Sequence, residues 1–271
     1  MDDKSTTRPV PESKPLKSLF DLTGQVAVIT GGSRGLGLQL AEALGEYGAT
    51  IVITARKPME LDAAAKHLTA LGVKTECYAG DFARAETIAS FADWLGTKHD
   101  RVDILVNNAG TSWGSPAEDH PIEGWNKVMA INLTGPFLLT QAIGKRWFIP
   151  QGRGRVINVA SVEGIQGHHA SMGGMLAYST SKGGMINFTR ALAAEWGRYG
   201  ITVNALAPGY FPSKLTEFIL QKIEGYVVEH TPLGKLGGPD DLKGPAVLFA
   251  SDAGGHITGQ VLAIDGGATI I

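Results

Sequence analysis

Thr30-Gly31-Gly32-Ser33-Arg34-Gly35-Leu36-Gly37, directly after the apolar run Val26-Ala27-Val28-Ile29, is the stretch whose reading decides the fold. A short run rich in β-branched residues reads as a buried strand, and the apolar periodicity from Leu36 onward reads as a helix. Between them Gly31 permits a sharp turn, Gly35 lets the backbone approach a pyrophosphate, and Gly37 lets helix and strand pack closely. The helix N-terminus then presents amide donors and a partial positive charge to a phosphate. A glycine-rich turn alone is a weak signal. Placed between a first strand and a first helix, it sits in the context that a dinucleotide-binding crossover requires.

Outward from that turn the same alternation repeats. Strand patterns occur over 26–30, 51–54, 74–78, 104–106, 156–159, 202–206 and 261–264. Helical patterns start near Leu36, Leu61, Glu86, Ile122, Ala177, Ser213 and Pro239. Short apolar strands separated by amphipathic helices predict a parallel sheet covered on both faces. With right-handed crossovers this becomes an α/β, doubly wound Rossmann fold of seven strands. Residues 1–20 are polar, contain Pro9, Pro11 and Pro15, and read as a mobile tail ahead of one domain over 21–271. Apolar content of 44% against 18% charged is enough to bury a large core. A net charge of −2 gives no reason to expect nucleic acid or a membrane surface as partner. The single cysteine, Cys77, excludes an internal disulfide and a cysteine-based zinc site, and its place in a strand reads as buried and inert. Without a long apolar run or a signal-peptide pattern, the expected location is the cytoplasm.

The end of the second strand is where an adenosine ribose is met, and a carboxylate there selects NAD. This chain has Thr54-Ala55-Arg56 instead, and Arg34 approaches from the glycine turn. Two guanidiniums suit a 2′-phosphate, which predicts NADP(H). Gly80-Asp81-Phe82, after the third strand, places a carboxylate at the adenine edge. Asn107-Asn108-Ala109-Gly110, after the fourth, lies where ligands bind in such folds, although both asparagines read equally well as strand-end turn residues. Asp103, ahead of that strand, reads as a cap or a surface charge.

Tyr178 and Lys182 stand four residues apart in a predicted helix, so phenol and ammonium share one face. A fixed ammonium favours the phenolate and lowers a tyrosine pKa, making the side chain a usable general acid/base.

With these pieces the chain resembles the short-chain dehydrogenase/reductase family. The resemblance is carried by Thr30-Gly31-x-x-x-Gly35-x-Gly37, Asn107-Asn108-Ala109-Gly110, Asn132, Ser161, Tyr178-x-x-x-Lys182 and Pro208-Gly209, in order, from Leu22 to the C-terminus. Within the family it looks like the 3-oxoacyl thioester reductases, the rhamnolipid-type β-ketoacyl reductases and the gluconate 5-dehydrogenase-like group. The resemblance implies hydride transfer between a nicotinamide and a carbonyl or secondary alcohol. Tyr178 would exchange the proton, and Lys182 would tune it and hold the nicotinamide ribose. Ser161 would bind the substrate oxygen, and Asn132 would hold a water leading from Lys182 to solvent. Pro208, Gly209 and backbone near Phe211 would position the nicotinamide. Gly31, Ser33, Arg34, Gly35, Leu36, Gly37, Arg56, Asp81, Phe82, Asn108, Ala109 and Gly110 would hold the rest of the dinucleotide. Read singly, Ser161 is equally a turn residue and Asn132 a satisfied buried amide.

From Ser161 to Tyr178 the step of 17 positions is longer than the family's usual one. The extra residues, including His168, His169, Met172 and Met175, are expected to bulge over the substrate mouth; the histidines read as exposed loop residues and the methionines as an apolar lining. Trp113, Phe211 and Phe218 are expected in the substrate pocket, under a lid helix from Ser213 to Glu229. That favours a 3-oxoacyl or similar ketone; a sugar acid would need a cation such as Lys214 or Arg153. A catalytically idle NADP-binding sensor is the alternative from another class. The resemblance further implies a homotetramer.

Overall fold

Alternation at single-residue period decides where each strand residue goes. In β1 (Val26–Thr30) all five residues are buried. Ala27 and Ile29 join the core on one face of the sheet and Val26 and Val28 the core on the other. The computed structural model describes residues 13–167, 174–214 and 216–271, with the backbone alone at 218. The remaining strands are β2 (Thr50–Ala55), β3 (Thr75–Ala79), β4 (Ile104–Asn107), β5 (Gly154–Val159), β6 (Ile201–Pro208) and β7 (Val261–Ile264). They form one seven-stranded parallel sheet in the order β3-β2-β1-β4-β5-β6-β7, the expected doubly wound arrangement. Every residue of β5 and β6 is buried, whereas the edge strands β3 and β7 are mostly half-buried. Central strands covered on both faces therefore read as continuous apolar runs.

The helices are α1 (Leu16–Leu19), α2 (Gly35–Glu46), α3 (Pro58–Ala70), α4 (Ala85–Lys98), α5 (Ile122–Met129), α6 (Gly135–Ile143), α7 (Ile149–Gln151), α8 (Leu176–Trp196), α9 (Glu217–Glu229) and α10 (Lys243–Ala250). α3 begins at Pro58, ahead of the expected Leu61, because proline at a first helical position gives up only an amide that has no partner there. α9 begins at Glu217 rather than Ser213: Thr216 Oγ1 donates to Phe211 O at 2.6 Å and accepts from Ser213 N at 3.0 Å, tying 211–216 into a turn. The last helix starts at Lys243, later than the expected Pro239.

The expected long helix is a rod of α5, α6 and α7 joined by two π-helical segments, Ala130–Thr134 and Gly144–Phe148. Such widened turns re-aim side chains and recur at functional positions. Asn132 lies in the first. Of the predicted tail, residues 1–12 lie outside the described residues, and 16–19 form a single helical turn. Cys77 is half-buried, and burial raises its pKa, which keeps the thiol protonated and unreactive. Asp103 is neither a surface charge nor a helix cap. It is 1% exposed, accepts a hydrogen bond from Val26 N at 2.9 Å, and pairs with Arg101, so it pins the start of β1 to β4. Among the described residues no helix is long and apolar enough to cross a membrane.

Candidate active site

Six of the seven strands, β1 to β6, deliver residues from their carboxyl ends to one cleft of about 830 Å³ along that edge of the sheet. The glycine turn follows β1, Thr54–Lys57 follow β2, and Gly80–Ala83 follow β3. Asn108–Thr111 follow β4, Val159–Ser161 end β5, and 208–214 close the other side after β6. The cleft spans the β1/β4 boundary, where strand order reverses and the helices on either side diverge.

The turn itself is built for close approach. Gly31 has φ +66° and Gly35 φ +54°, conformations that favour glycine. A side-chain carbon on Gly35 would meet nothing nearer than Ser213 Cβ at 3.9 Å, so the space before it is open. At Gly37 it would stand 2.3 Å from Gly31 O and 2.4 Å from Asn108 Nδ2. Gly37 thus admits the turn and an asparagine, a tighter reason than helix–strand packing. Gly32, which sequence reading left without a role, is needed too: its added carbon would lie 2.5 Å from Ile53 Cγ2.

The asparagines prove to be builders of that cradle. Asn108 Nδ2 donates to Thr30 O at 2.8 Å and Gly31 O at 3.2 Å, while Thr30 Oγ1 accepts from the amides of Asn108 and Ala109, each at 3.0 Å. Asn107 Nδ2 bridges Thr140 and Asn158 in the interior. Gly135 lets the 81–83 turn press on α6, since an added carbon there would lie 2.3 Å from Phe82 O. Asp81 lines the cleft and accepts from Ala83 N at 3.2 Å.

At the β2 end Arg34 and Arg56 both line the cleft, joined by Lys57 and Lys214. Glu60 Oε1 lies 3.2 Å from Lys57 Nζ and 3.7 Å from Arg34. The hydrogen bond from Lys57, then the nearby positive charges, hold the Glu60 carboxyl below its usual pKa. The cleft fits a dinucleotide carrying an extra phosphate: a glycine cradle at a helix N-terminus and a cationic rim. Sequence reading names Lys214 only as a cation for a sugar acid; Lys57, beside Arg56, could have been found by that neighbourhood, whereas Glu60 and Lys127 give no signal.

At the other end Tyr178 and Lys182 both face the cleft from α8, as their spacing requires, with Ser161 beside them. The Tyr178 hydroxyl is hydrogen-bonded to Ser161. Ser161 caps the short 3₁₀ turn Val162–Gly164, and its Oγ accepts from Glu163 N at 3.2 Å. Gly164 brings that turn onto α8, for an added carbon would lie 2.5 Å from the Lys182 carbonyl carbon. Asn132, 1% exposed, stands one layer behind. It accepts from Thr111 N at 2.9 Å and donates to Thr111 O and Ser181 Oγ, each at 2.9 Å. Its side-chain amide ties the strand-end loop to α8.

The expected lowering of the tyrosine pKa is not a property of the chain alone. Burial pushes Tyr178 up to about 12, with the Glu163 charge adding to it and the Ser161 hydrogen bond opposing. Burial likewise lowers Lys182 to about 8. Lys182 Nζ donates to Val159 O at 2.6 Å and lies 5.6 Å from the Tyr178 ring centroid, so desolvation outweighs the pairing. Between pH 8 and the ordinary lysine value of 10.5 the unfolded chain holds a proton that the folded chain has released. The Lys182 contribution to unfolding free energy therefore rises with pH across that window. The opposite trend from Tyr178 starts only above pH 10. Urea denaturation at several pH values should show this rise in the wild type and its loss in Lys182→Met; parallel curves would refute the assignment.

A model of the short chain dehydrogenase family matches residues 25–224. The chain belongs to the short-chain dehydrogenase family. The rhamnolipids biosynthesis 3-oxoacyl-[acyl-carrier-protein] reductase of Pseudomonas aeruginosa is 38% identical over 256 residues, 92% of this chain and 97% of that protein. Gluconate 5-dehydrogenase of Gluconobacter oxydans (strain 621H) is 35% identical over 260 residues, 93% of this chain and 97% of that protein. The solved structure of a gluconate 5-dehydrogenase from Burkholderia cenocepacia J2315, in complex with NADP and tartrate, aligns with TM-score 0.88 at 33% identity, covering 94% of this chain and 99% of that one.

This short-chain dehydrogenase has a second, smaller chamber of about 80 Å³ that shares Ser161, Tyr178, Gly209 and Thr216 with the main cleft. Val162, Met175 and Ile219 make it largely apolar. Met175 lines it as expected; His168, His169, Met172 and the side chain of Phe218 lie outside the described residues. Of the other expected lining residues, Phe211 is in the main cleft and Trp113 is not among the residues lining either space. Phe211 is 3% exposed, with its ring against Gly237. Trp113 packs on Gly124 beneath Lys127. Arg153 is no substrate cation, because it stands at the opposite end of β5 and pairs with Asp252 at 2.9 Å.

Proposed function

We propose that this short-chain dehydrogenase is an NADP(H)-dependent oxidoreductase that interconverts a carbonyl and a secondary alcohol. The observation that carries the reading is one cleft with a glycine cradle and four cations at one end and Ser161, Tyr178 and Lys182 at the other. Bound there, NADP(H) supplies a hydride to the carbonyl carbon or accepts one from the alcohol. Ser161 and Tyr178 hold the substrate oxygen by their hydroxyls, and Tyr178 donates the proton that completes the alcohol. Lys182 holds the nicotinamide ribose, Asn132 keeps the Thr111 loop against α8, and Pro208, Gly209 and Phe211 back the nicotinamide. The intact Tyr178–Lys182 pair argues against an idle sensor.

For the substrate, the apolar lining by Val162, Met175 and Ile219 favours a 3-oxoacyl or similar ketone. A sugar acid is the second reading, supported by the gluconate 5-dehydrogenase relative. Turnover of acetoacetyl thioester against 5-ketogluconate, with NADPH and NADH side by side, separates the two; activity with neither ketone in either cofactor would remove the reductase reading. We further propose a homotetramer, since Leu262, Ile270 and Ile271 expose apolar surface at the C-terminus. A light-scattering mass near the 28.6 kDa of one chain would rule that out.

A further inference from the structure

Glu60 lines the cleft without a purpose that the dinucleotide reading supplies. Among the described residues two carboxylates border that cleft, Asp81 and Glu60. Asp81 turns to its own loop, accepting from Ala83 N at 3.2 Å and lying 3.9 Å from Arg84. Glu60 stands among the cations of the β2 end instead. Its Oε1 lies 3.2 Å from Lys57 Nζ and 3.7 Å from Arg34 Nη1. Arg34 is the N-cap of α2 and Glu60 sits in the first turn of α3, so this carboxylate bridges two helix starts. The charge of Lys214, on the far side of the cleft, reaches it too and helps to keep it ionised. An anion is thus already seated where three cations converge, which is the place a 2′-phosphate needs.

We propose that Glu60 is an intramolecular competitor of the cofactor's 2′-phosphate. In the free enzyme its carboxylate engages Arg34 and Lys57, so NADP(H) binds more weakly, and is less sharply preferred over NAD(H), than the cationic rim alone would allow. The inference rests on the NADP(H) reading above. A carboxylate can also steady cations for a phosphate, but the geometry here favours competition. At 3.7 Å the Arg34 contact is too long for a hydrogen bond, so Glu60 draws on the guanidinium without fixing its orientation. The Arg34 and Lys57 side chains are 51% and 67% exposed and are free to leave Glu60 for a stronger anion. A phosphate monoester, with a charge of about −1.5 to −2, is that stronger anion. It displaces the carboxylate, then meets its like charge nearby.

Adenosine fragments isolate this end of the cofactor. Calorimetric titration with 2′,5′-ADP and with 5′-AMP, at low salt, reads the 2′-phosphate contact without turnover. Glu60→Gln should tighten 2′,5′-ADP on the order of 5-fold and change 5′-AMP less than about twofold. The kcat/KM ratio of NADPH over NADH should rise by a similar factor. Salt at ~0.5 M should shrink the gain, and Glu60→Asp, which keeps the charge, should stay near wild type. A carboxylate that served only the first turn of α3 would behave differently: Glu60→Gln would lower the melting temperature and leave both Kd values alone. Glu60→Ala serves as a second neutral variant if the glutamine form folds poorly. Unchanged or weaker binding of 2′,5′-ADP by a folded neutral variant overturns the proposal, while a wild-type preference for 2′,5′-ADP over 5′-AMP leaves the NADP(H) reading intact. Equal binding of the two fragments by wild type removes that reading, and this inference with it.

Discussion

Tyr178→Phe is expected to lower kcat for ketone reduction about 1000-fold while the Kd for NADPH changes less than about threefold. The substitution removes one oxygen and keeps the ring, so the α8 surface and its packing survive. What is lost is a proton donor already aimed at the site and hydrogen-bonded to Ser161. Because burial holds the Tyr178 pKa near 12, the hydroxyl is protonated throughout the neutral range, which suits a donor. Alcohol oxidation needs the reverse, a deprotonated acceptor, so its rate should climb with pH where ketone reduction does not. Ser161→Ala should cost less, since it removes a partner of the substrate oxygen and leaves the donor in place. Steady-state kinetics in both directions, with fluorescence titration of NADPH, tests this. Activity of the phenylalanine variant within tenfold of wild type would sink the assignment of Tyr178 as the acid.

Why the sheet was readable and parts of the site were not comes down to which interactions are local. The central strands are buried on both faces, so their identity is written in continuous apolar runs such as Val26–Thr30. The Tyr178–Lys182 pair is set by helical period, and it faces the cleft as that period demands. Failures occur where a position is decided by a distant partner. Asp103 reads as a surface charge until the Val26 amide, 77 residues away, is found bonded to it. Asn108 reads equally well as a ligand contact and as a strand-end turn residue, and spacing cannot tell that, while it lines the cleft, Thr30 and Gly31 take its side-chain amide. The pKa expectation failed for the same reason. Spacing places an ammonium near a phenol, but it cannot report that Val159 O already holds that ammonium or that both groups are buried. Type alone assigns Trp113 to the substrate pocket, and packing against Gly124 decides otherwise; Phe211 does border the cleft, with its ring against Gly237.

Arg56→Asp is expected to reverse cofactor preference, lowering kcat/KM for NADPH about 100- to 1000-fold and raising that for NADH severalfold. Two effects add. The guanidinium loses a charge-assisted contact with the 2′-phosphate, worth roughly 1.5–3 kcal/mol. The new carboxylate then repels that phosphate, yet accepts hydrogen bonds from the free ribose hydroxyls of NADH. Arg56 is the better position to change than Arg34, because Arg34 is already shared with Glu60 at 3.7 Å, whereas no ion pair ties Arg56 among the described residues. Its neighbours set an upper bound on the effect. Lys57 and Lys214 border the same end of the cleft and will retain part of the attraction for phosphate, so NADPH use should fall without vanishing. These cations are exposed, and salt screens them; wild-type preference for NADPH should therefore shrink as ionic strength rises, and the aspartate variant should show the weaker salt dependence. A preference ratio unchanged by Arg56→Asp at low salt would place the 2′-phosphate elsewhere, and with it the basis for reading this cleft as one for NADP(H).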